Sequence, residues 1–283
     1  MAVYLGSDGL NGLVRMQSGE LNPGDLELIH IQKCLMVSFN DRKYVNPIDL
    51  QIIKQLGLKF RGTNAWPVFR SYEPGYTPWH LTSKEQVQFL TLAIIQAIEI
   101  AEHFKPNPDI LFVDNDNRYW VSIAEWVNDT VYWTCQRMSP ASIEKSLSKL
   151  QDYDELRLKK IQDSVRHRAG IWEVDCFYSP FVVKEGDRPF YPLMLLFVDH
   201  QSGQILHFQL ANGAGDIPEF ADEFMKLTKR MNMMPESIWV PNQTVRDYVS
   251  DMTSGCGIYC KIESNLTSIM EAKENMLQYL GKG

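Results

Sequence analysis

Two acidic residues alternate with apolar ones along a predicted strand in the second half of the sequence. Glu173 and Asp175 share one face of this strand by period-two alternation, and His207 lies on the polar face of a later strand. If both strands flank a central one, the three side chains meet in one patch with Asp199 at its edge. Carboxylates and imidazole bind metal ions or move protons, so Asp175, Asp199 and His207 form a candidate metal set. The alternative is a half-solvated sheet face, with Asp199 serving a turn.

A second candidate site is an aromatic, proline-punctuated segment in the first half. Its rings belong to Trp66, Tyr72, Tyr76 and Trp79. Such rings stack on bases, peptides or small ligands, so the segment is a candidate ligand-binding surface for a protein partner or a small molecule. The alternative is that the rings fold back and cover the core of their own domain.

The charge pattern argues against nucleic acid as the main partner. The formal net charge is −7, and neither half of the chain carries a basic excess. One local strip is basic. Its acidic neighbours favour a solvated connector helix, and a nucleic-acid contact is the alternative. The strip consists of Arg157, Lys159, Lys160, Arg166 and Arg168.

Several familiar sites are missing from the sequence. It has no phosphate loop, no Gly-x-Gly-x-x-Gly, no His-Glu-x-x-His and no Gly-x-Ser-x-Gly elbow. No cofactor is evident, and Mg²⁺ or Mn²⁺ is expected only if the carboxylates act together as a nuclease. The odd number of cysteines without a Cys-x-x-Cys pair, and the absence of a secretory pattern, predict a cytoplasmic protein with reduced thiols.

The first half reads as an α+β domain spanning residues 1–140. Asn46-Pro47 predicts the start of a short helix, and the Thr82-Ser-Lys-Glu85 capping box predicts a second that runs to about Phe104. Apolar residues cover most of the second helix, so it is expected to be buried rather than to span a membrane, and no membrane partner is expected. Strands are predicted at 34–39, 58–61 and 66–70, and a β-meander packed on the buried helix at 110–113, 118–124 and 131–137.

A charged connector helix is predicted at residues 141–168, followed by an α/β domain at residues 169–283. That domain begins with three strands, the second and third of which are joined by a turn at residues 199–203. Helices and strands then alternate. The strands are predicted at 171–178, 193–198, 205–210, 237–240 and 258–262, and the helices at 218–230, 244–252 and 266–280.

This order is similar to the ribonuclease-H-like fold of retroviral-type integrases and many transposases. Residues 188–203 resemble an uncharacterised bacterial domain of unknown function. Their sequence is Arg188-Pro-Phe-Tyr-Pro-Leu-Met-Leu-Leu-Phe-Val-Asp-His-Gln-Ser-Gly203. Residues 66–79 resemble a second uncharacterised domain that often accompanies the first. Their sequence is Trp66-Pro-Val-Phe-Arg-Ser-Tyr-Glu-Pro-Gly-Tyr-Thr-Pro-Trp79. The resemblance implies a two-domain architecture and no established activity.

An active member of the integrase type resembles a two-metal nuclease, with carboxylates on the first strand, after the fourth strand and on a later helix. The resemblance implies Asp175 for the first position and Glu271 or Glu274 for the third, although glutamates on a solvated helix face are also ordinary. The fourth strand instead ends at Asn242, where the pattern expects an aspartate. A neutral amide oxygen is a weaker Mg²⁺ ligand than a carboxylate.

These observations lead to three hypotheses. The first is a non-catalytic binding or accessory protein with a degenerate integrase-like domain. The second is a metal-dependent nuclease or phosphoryl-transfer enzyme that uses Asp175 and Glu271, with Asp199 or Glu173. The third is a structural protein that oligomerises through its aromatic segment and apolar surfaces.

Overall fold

The chain folds into two compact units of mixed helix and strand. The computed structural model describes residues 1–19, 27–109, 118–128, 130–139, 165, 167–213 and 216–280. The predicted connector helix at 141–168, the strand at 110–113 and most of the basic strip lie outside these residues. The two-domain α+β architecture is confirmed. The first unit comprises Met1–Glu20, Gln32–Tyr72 and Pro78–Lys145, and the second comprises Leu21–Ile31, Glu73–Thr77 and Ser146–Gly283.

A three-stranded antiparallel sheet forms the centre of the first unit. Its strands pair in the order β1 (Ala2–Tyr4), β2 (Cys34–Asn40) and β3 (Trp66–Tyr72). The side chains of Cys34, Leu35 and Val68 are buried. Successive side chains of a strand alternate between the two faces, so Cys34 and Leu35 are buried on opposite faces of the sheet. Helix α1 (Gly6–Gln17) follows β1. The strand predicted at 58–61 is wrong: these residues form no strand.

Helix α3 (Pro47–Gln55) begins as the sequence predicts. The Asn46 side chain accepts a hydrogen bond from the backbone N–H of Ile48, at 2.9 Å. Asp49, in the first turn, is buried and makes a two-point ion pair with Arg70 of β3, with N–O distances of 3.0 and 2.5 Å. The two N–H groups of the guanidinium match the geometry of the two carboxylate oxygens. The ion pair therefore joins helix α3 to the sheet.

Helix α4 (Lys84–Phe104) has the predicted length, but its cap and its burial differ from the prediction. Ser83, not Thr82, accepts the capping hydrogen bond, from the N–H of Gln86 at 3.2 Å. Only Leu90 and Phe104 are buried along the helix. The prediction that this helix is buried is therefore wrong, as far as the described residues show. The apolar residues surround the helix, whereas the first unit covers only one of its sides.

Strands β4 (Tyr119–Val127) and β5 (Thr130–Met138) form an antiparallel hairpin. The Trp120 ring lies 5.3 Å from that of Phe104, so the hairpin packs on the end of α4. These are two strands of the predicted meander, and the third, predicted at 110–113, lies outside the described residues.

The second unit is built on a five-stranded sheet with the order β10-β9-β6-β7-β8. Strand β7 runs antiparallel to β6 and β8, whereas β9 and β10 run parallel to β6. The sequence predicted every one of these strands and the three helices between and after them. They are β6 (Ile171–Tyr178), β7 (Leu193–Asp199), β8 (Ile205–Leu210), α5 (Phe220–Met231), β9 (Ser237–Val240), α6 (Gln243–Gly255), β10 (Tyr259–Ile262) and α7 (Thr267–Leu280).

Apolar clusters lie on both faces of this sheet. On one face, Trp172 and Val174 of β6 pack with Phe220 and Phe224 of α5 and with residues of α6. On the other face, Leu196 and Val198 of β7 pack with Ile269 and Ala272 of α7. Each fully buried valine, leucine, isoleucine or phenylalanine side chain contributes roughly 1.5–3 kcal/mol to the free energy of folding, relative to the same side chain in water. The sheet is thus covered on both faces, and its α7 face carries Glu173 and Asp175.

A short helix, α2 (Glu27–His30), belongs to the second unit. The His30 ring is buried and stacks on Tyr178 at 4.2 Å, with the Tyr191 ring edge-on at 4.8 Å. Among the described residues, neither of its ring nitrogens has a hydrogen-bond partner. Burial lowers the pKa of His30 to about 4, because the charged imidazolium is disfavoured away from water.

We expect the second unit to lose stability on acidification because of His30. The folded chain keeps this ring neutral down to about pH 4, whereas the unfolded chain takes up a proton near pH 6.5. The neutral ring therefore contributes up to roughly 3 kcal/mol to the free energy of unfolding. This contribution is complete above pH 6.5 and is lost as the pH falls toward 4. Denaturant unfolding at pH 7.5 and 4.5 measures it. His30→Phe keeps the stacking and should lose less stability between the two pH values than wild type, and equal losses would contradict the assignment.

Candidate functional site

The Asp175 carboxylate is buried on the face of β6 that α7 covers. Its Oδ2 lies 2.5 Å from the Lys273 ammonium of α7, and its Oδ1 accepts the N–H of Cys176 at 2.7 Å. The Lys273 ammonium also lies 3.9 Å from the centre of the Phe177 ring. Both oxygens of Asp175 are therefore engaged, and its nearest ionic partner is a cation of the same chain.

Glu173 lies two residues earlier on the same face and is 0% exposed. Its Oε1 lies 2.6 Å from Nδ1 of His200, and its Oε2 accepts the N–H of Ile269 at 2.9 Å. Ile269 is in the first turn of α7, where backbone N–H groups lack partners within the helix. The carboxylate thus ties the residue after β7 to the start of α7.

His200 stands between this carboxylate and an aromatic ring. Its ring centre lies 4.4 Å from that of Trp239 on β9, and the Lys261 ammonium of β10 lies 4.4 Å from the same indole. Trp239 is in register with both Glu173 and Lys261, so the row crosses three neighbouring strands. An imidazole held at Nδ1 by a carboxylate is suited to proton transfer. Within the described chain, however, no hydroxyl or thiol is hydrogen-bonded to its ring.

The predicted metal set Asp175, Asp199 and His207 is not brought together. His207 is paired with Phe197, whose side chain packs on the α5 face, opposite to the face of Asp175. Asp199 accepts hydrogen bonds from the N–H and hydroxyl of Ser202 in the turn after β7. Burial raises the pKa of Asp199, but these hydrogen bonds outweigh it and hold the pKa below its usual value. Across the described residues there is no group of three His, Cys, Asp or Glu side chains that fits a metal ion.

His207 instead joins a separate ionic cluster on the α5 face. Its Nε2 lies 2.6 Å from Glu223, whose other oxygen accepts a hydrogen bond from Lys226 at 2.6 Å. Burial raises the pKa of Glu223, but the bonds from Lys226 and His207 outweigh it and lower the pKa. The side chains of this cluster satisfy one another and connect β8 to α5.

Two further positions implied by the integrase resemblance also lack the expected geometry. Asn242 Oδ1 accepts the N–H of Val245 at 3.0 Å, so this side chain serves as the N-cap of α6. Glu271 and Glu274 are exposed on α7, and the residue of α7 that meets Asp175 is Lys273. Lys273 and His200 were not predicted as site residues, because a single lysine or histidine near a strand or helix end carries no pattern of its own.

The four predicted aromatic ligand residues are divided between the two units. Trp66, Tyr72 and Trp79 belong to the first unit, and Tyr76 belongs to the second. Trp66 packs edge-on against Phe60 at 5.8 Å, and Trp79 is hydrogen-bonded through its backbone to Ser71. Burial raises the pKa of Tyr72. Each of these three half-buried rings therefore covers part of its own unit.

Tyr76 is held in the second unit by Arg188. The guanidinium lies 4.6 Å from the Tyr76 ring, donates to Glu73 at 3.0 Å and donates to the carbonyl of Thr77 at 3.1 Å. The turn depends on Gly75, which has a φ of +80°, and a Cβ at that position would lie 2.8 Å from the Tyr178 ring. The residues around Tyr76 are thus structurally constrained, which favours the packing interpretation of this ring.

The first unit also contains an apolar cleft that the sequence did not predict. It has a volume of about 370 Å³ and lies between α3, α4 and β3. Its polar groups are few, and Asp49 in its wall is neutralised by Arg70. Such clefts bind apolar groups rather than ions. Its apolar lining includes Ile52, Ile53, Leu56, Phe69, Val87 and Ile94.

Two family models match the chain. Residues 1–122 match a Domain of unknown function (DUF7309), and residues 157–277 match a Domain of unknown function (DUF6930). No curated protein matches the chain. These matches confirm the similarity to an uncharacterised two-domain family, with one domain in each half.

Proposed function

We propose that this chain is a non-catalytic binding protein. Its second unit has a ribonuclease-H-like fold without a working metal site, and its first unit supplies the binding surface. The arrangement of β6, β7 and β8 as antiparallel strands, followed by alternating helices and strands, supports the fold resemblance. Since that fold serves many functions, the chemistry has to be argued from the side chains.

The observation that carries the proposal is the ion pair between Asp175 and Lys273. A divalent ion of the Mg²⁺ type needs free carboxylate oxygens. Both oxygens of Asp175 are engaged, and the Lys273 ammonium at 2.5 Å places a positive charge where a metal ion would bind. Since like charges repel strongly at such distances, the lysine opposes metal binding at this carboxylate.

The other carboxylates do not compensate for this loss. Glu173 is committed to His200 and to the N–H of Ile269. Glu271 is exposed on α7, and Asn242 caps α6. The nuclease hypothesis requires several carboxylates that converge on one open site. The surroundings of Asp175, Glu173, Glu271 and Asn242 favour the binding protein over the nuclease.

The binding surface that we propose is the apolar side of the first unit. Ile52, Leu56 and Leu58, at or beside α3, are at least 42% exposed, and the cleft beside them is lined mainly by apolar side chains. Surfaces of this kind on soluble chains mark protein–protein or ligand contacts. This proposal keeps the partner-binding role that the sequence suggested and moves it from the aromatic segment to the cleft and the side of α4 that borders it.

Calorimetric titration with Mn²⁺ tests the proposed absence of a metal site. We expect no binding at millimolar Mn²⁺ for wild type or for Asp175→Asn, which keeps the shape of the side chain. Binding by wild type that is lost in Asp175→Asn, together with Mn²⁺-dependent cleavage of single- or double-stranded DNA or RNA, would overturn the proposal. Glu274→Gln, on the exposed side of α7, is the matched control for a general change in surface charge.

A further inference from the structure

One face of α4 carries exposed residues at the spacing of a helix–helix contact. Six positions follow one another at intervals of four, three, four, three and four residues, which is the heptad spacing of a coiled-coil seam. All six side chains are exposed. We call this set the α4 seam. Its members are Lys84, Gln88, Thr91, Ile95, Ile98 and Glu102.

The middle of the α4 seam lacks charge: Ile95 and Ile98 are apolar, and Gln88 and Thr91 are uncharged polar residues. From Gln86 to Ile98 the helix contains no charged residue. Ile95 and Ile98 are 47% and 59% exposed, and Val87 and Leu92 beside them are 49% and 42% exposed. A helix that shows such side chains to water on one side, while its other side packs on its own unit, is typical of an interaction surface.

We propose that the α4 seam binds the same seam of a second copy of this chain, with the two helices antiparallel. The ends of the seam have opposite charges, Lys84 at the start and Glu102 at the end. A twofold axis midway between Thr91 and Ile95 places Lys84 of one copy against Glu102 of the other, and the symmetry makes this contact twice. A parallel arrangement would instead place like charges together, so the charges select the antiparallel one.

The size of the seam fits a reversible dimer. From residue 84 to residue 102 the helix extends roughly 27 Å, and a helix face roughly 10 Å wide gives a strip of roughly 300 Å² per copy. The exposed apolar side chains of the neighbouring cleft, including Val87 and Leu56, extend this surface. A standard stable interface covers roughly 800 Å² per partner, so we expect dissociation in the micromolar range.

A lipid surface fits this helix less well. α4 is long and apolar enough to cross a membrane by length and composition alone. Helices that lie on membranes, however, carry Lys and Arg along their polar side. Here the apolar stretch is flanked by Glu85, Glu99 and Glu102 as well as by Lys84 and Lys105, and the whole chain has a net charge of −7. Flanks of mixed charge in an acidic chain offer anionic lipids no net attraction, whereas they are compatible with a second copy that offers both signs of charge.

Sedimentation velocity of the full chain between about 1 and 100 µM tests the dimer. We expect a concentration-dependent shift from monomer to dimer. Ile95→Glu buries two like charges in the seam and should weaken the dimer at least roughly 50-fold. Phe89→Glu is the matched control, because Phe89 is on the same helix and 48% exposed but lies outside the seam. It should leave the dimer within about threefold of wild type.

A charge exchange tests the antiparallel geometry. Lys84→Glu and Glu102→Lys should each weaken the dimer roughly five- to tenfold, and the double variant should return to within about twofold of wild type. The two residues are too far apart on one helix to contact each other. Both single changes also suit the helix dipole, so weaker association would not reflect loss of the helix. Failure of the double variant to recover would overturn the antiparallel arrangement.

This inference rests on the proposed binding role, but the two fail differently. A wild-type chain that stays monomeric to 100 µM overturns the dimer, whether or not it floats with vesicles of anionic lipid. Flotation of that monomer, lost in Ile95→Glu, would assign the seam to membranes instead. Mn²⁺-dependent cleavage by the wild type would overturn the non-catalytic role at any oligomeric state.

Discussion

Replacing Glu173 with alanine is expected to lower the free energy of unfolding of the second unit by roughly 3–5 kcal/mol. The carboxylate is fully buried and accepts hydrogen bonds from two elements that are distant in sequence. Its loss leaves the N–H of Ile269 and Nδ1 of His200 without acceptors and leaves a cavity between β6 and α7. An unsatisfied buried donor alone costs roughly 1–3 kcal/mol.

Denaturant unfolding followed by tryptophan fluorescence measures this loss, with Trp172 and Trp239 as probes within the second unit. Glu173→Gln keeps an acceptor oxygen of similar shape and should lose less than the alanine variant. Glu274→Ala, an exposed position on α7, should stay within about 0.5 kcal/mol of wild type. If Glu173→Ala costs no more than Glu274→Ala, the carboxylate does not join β6 to α7.

The fold of the second unit could be predicted from the sequence because its signals are local. Period-two alternation along β6 places Glu173 and Asp175 on one face, as the structure has them. In the first unit, the Asn46 cap fixes the start of α3 in the same local way. The α4 cap was predicted one residue too early, because Thr82 and Ser83 both suit the position and Gln86 decides between them.

The candidate site could not be predicted to the same extent, because it depends on register and on helix orientation. His207 has the alternation that was expected, but the pairing of β8 with β7 places it opposite Phe197 and hence on the other face. A change of one residue in register would have reversed this result. The burial of α4 was also misjudged, because a helix that is apolar on all sides does not show which sides meet its own chain.

Lys273→Met is expected to lower the free energy of unfolding of the second unit by roughly 2–4 kcal/mol at pH 7. Methionine keeps the apolar stem of the side chain over Phe177 but removes the ammonium from Asp175. A buried carboxylate is then left with only the N–H of Cys176 as a donor. Lys229→Met, at an exposed position of α5, is the control for loss of one positive charge and should be nearly neutral.

A double-mutant cycle separates the ion pair from the packing of the two side chains. Asp175→Asn combined with Lys273→Met leaves two neutral groups of similar shape, and we expect it to be more stable than Lys273→Met alone. The coupling energy should be at least about 1.5 kcal/mol, because the two charges are in direct contact. Additive effects of the two changes would mean that the pair contributes packing only. The ammonium would then no longer support the proposed absence of a metal site at Asp175, and the nuclease hypothesis would regain its main residue.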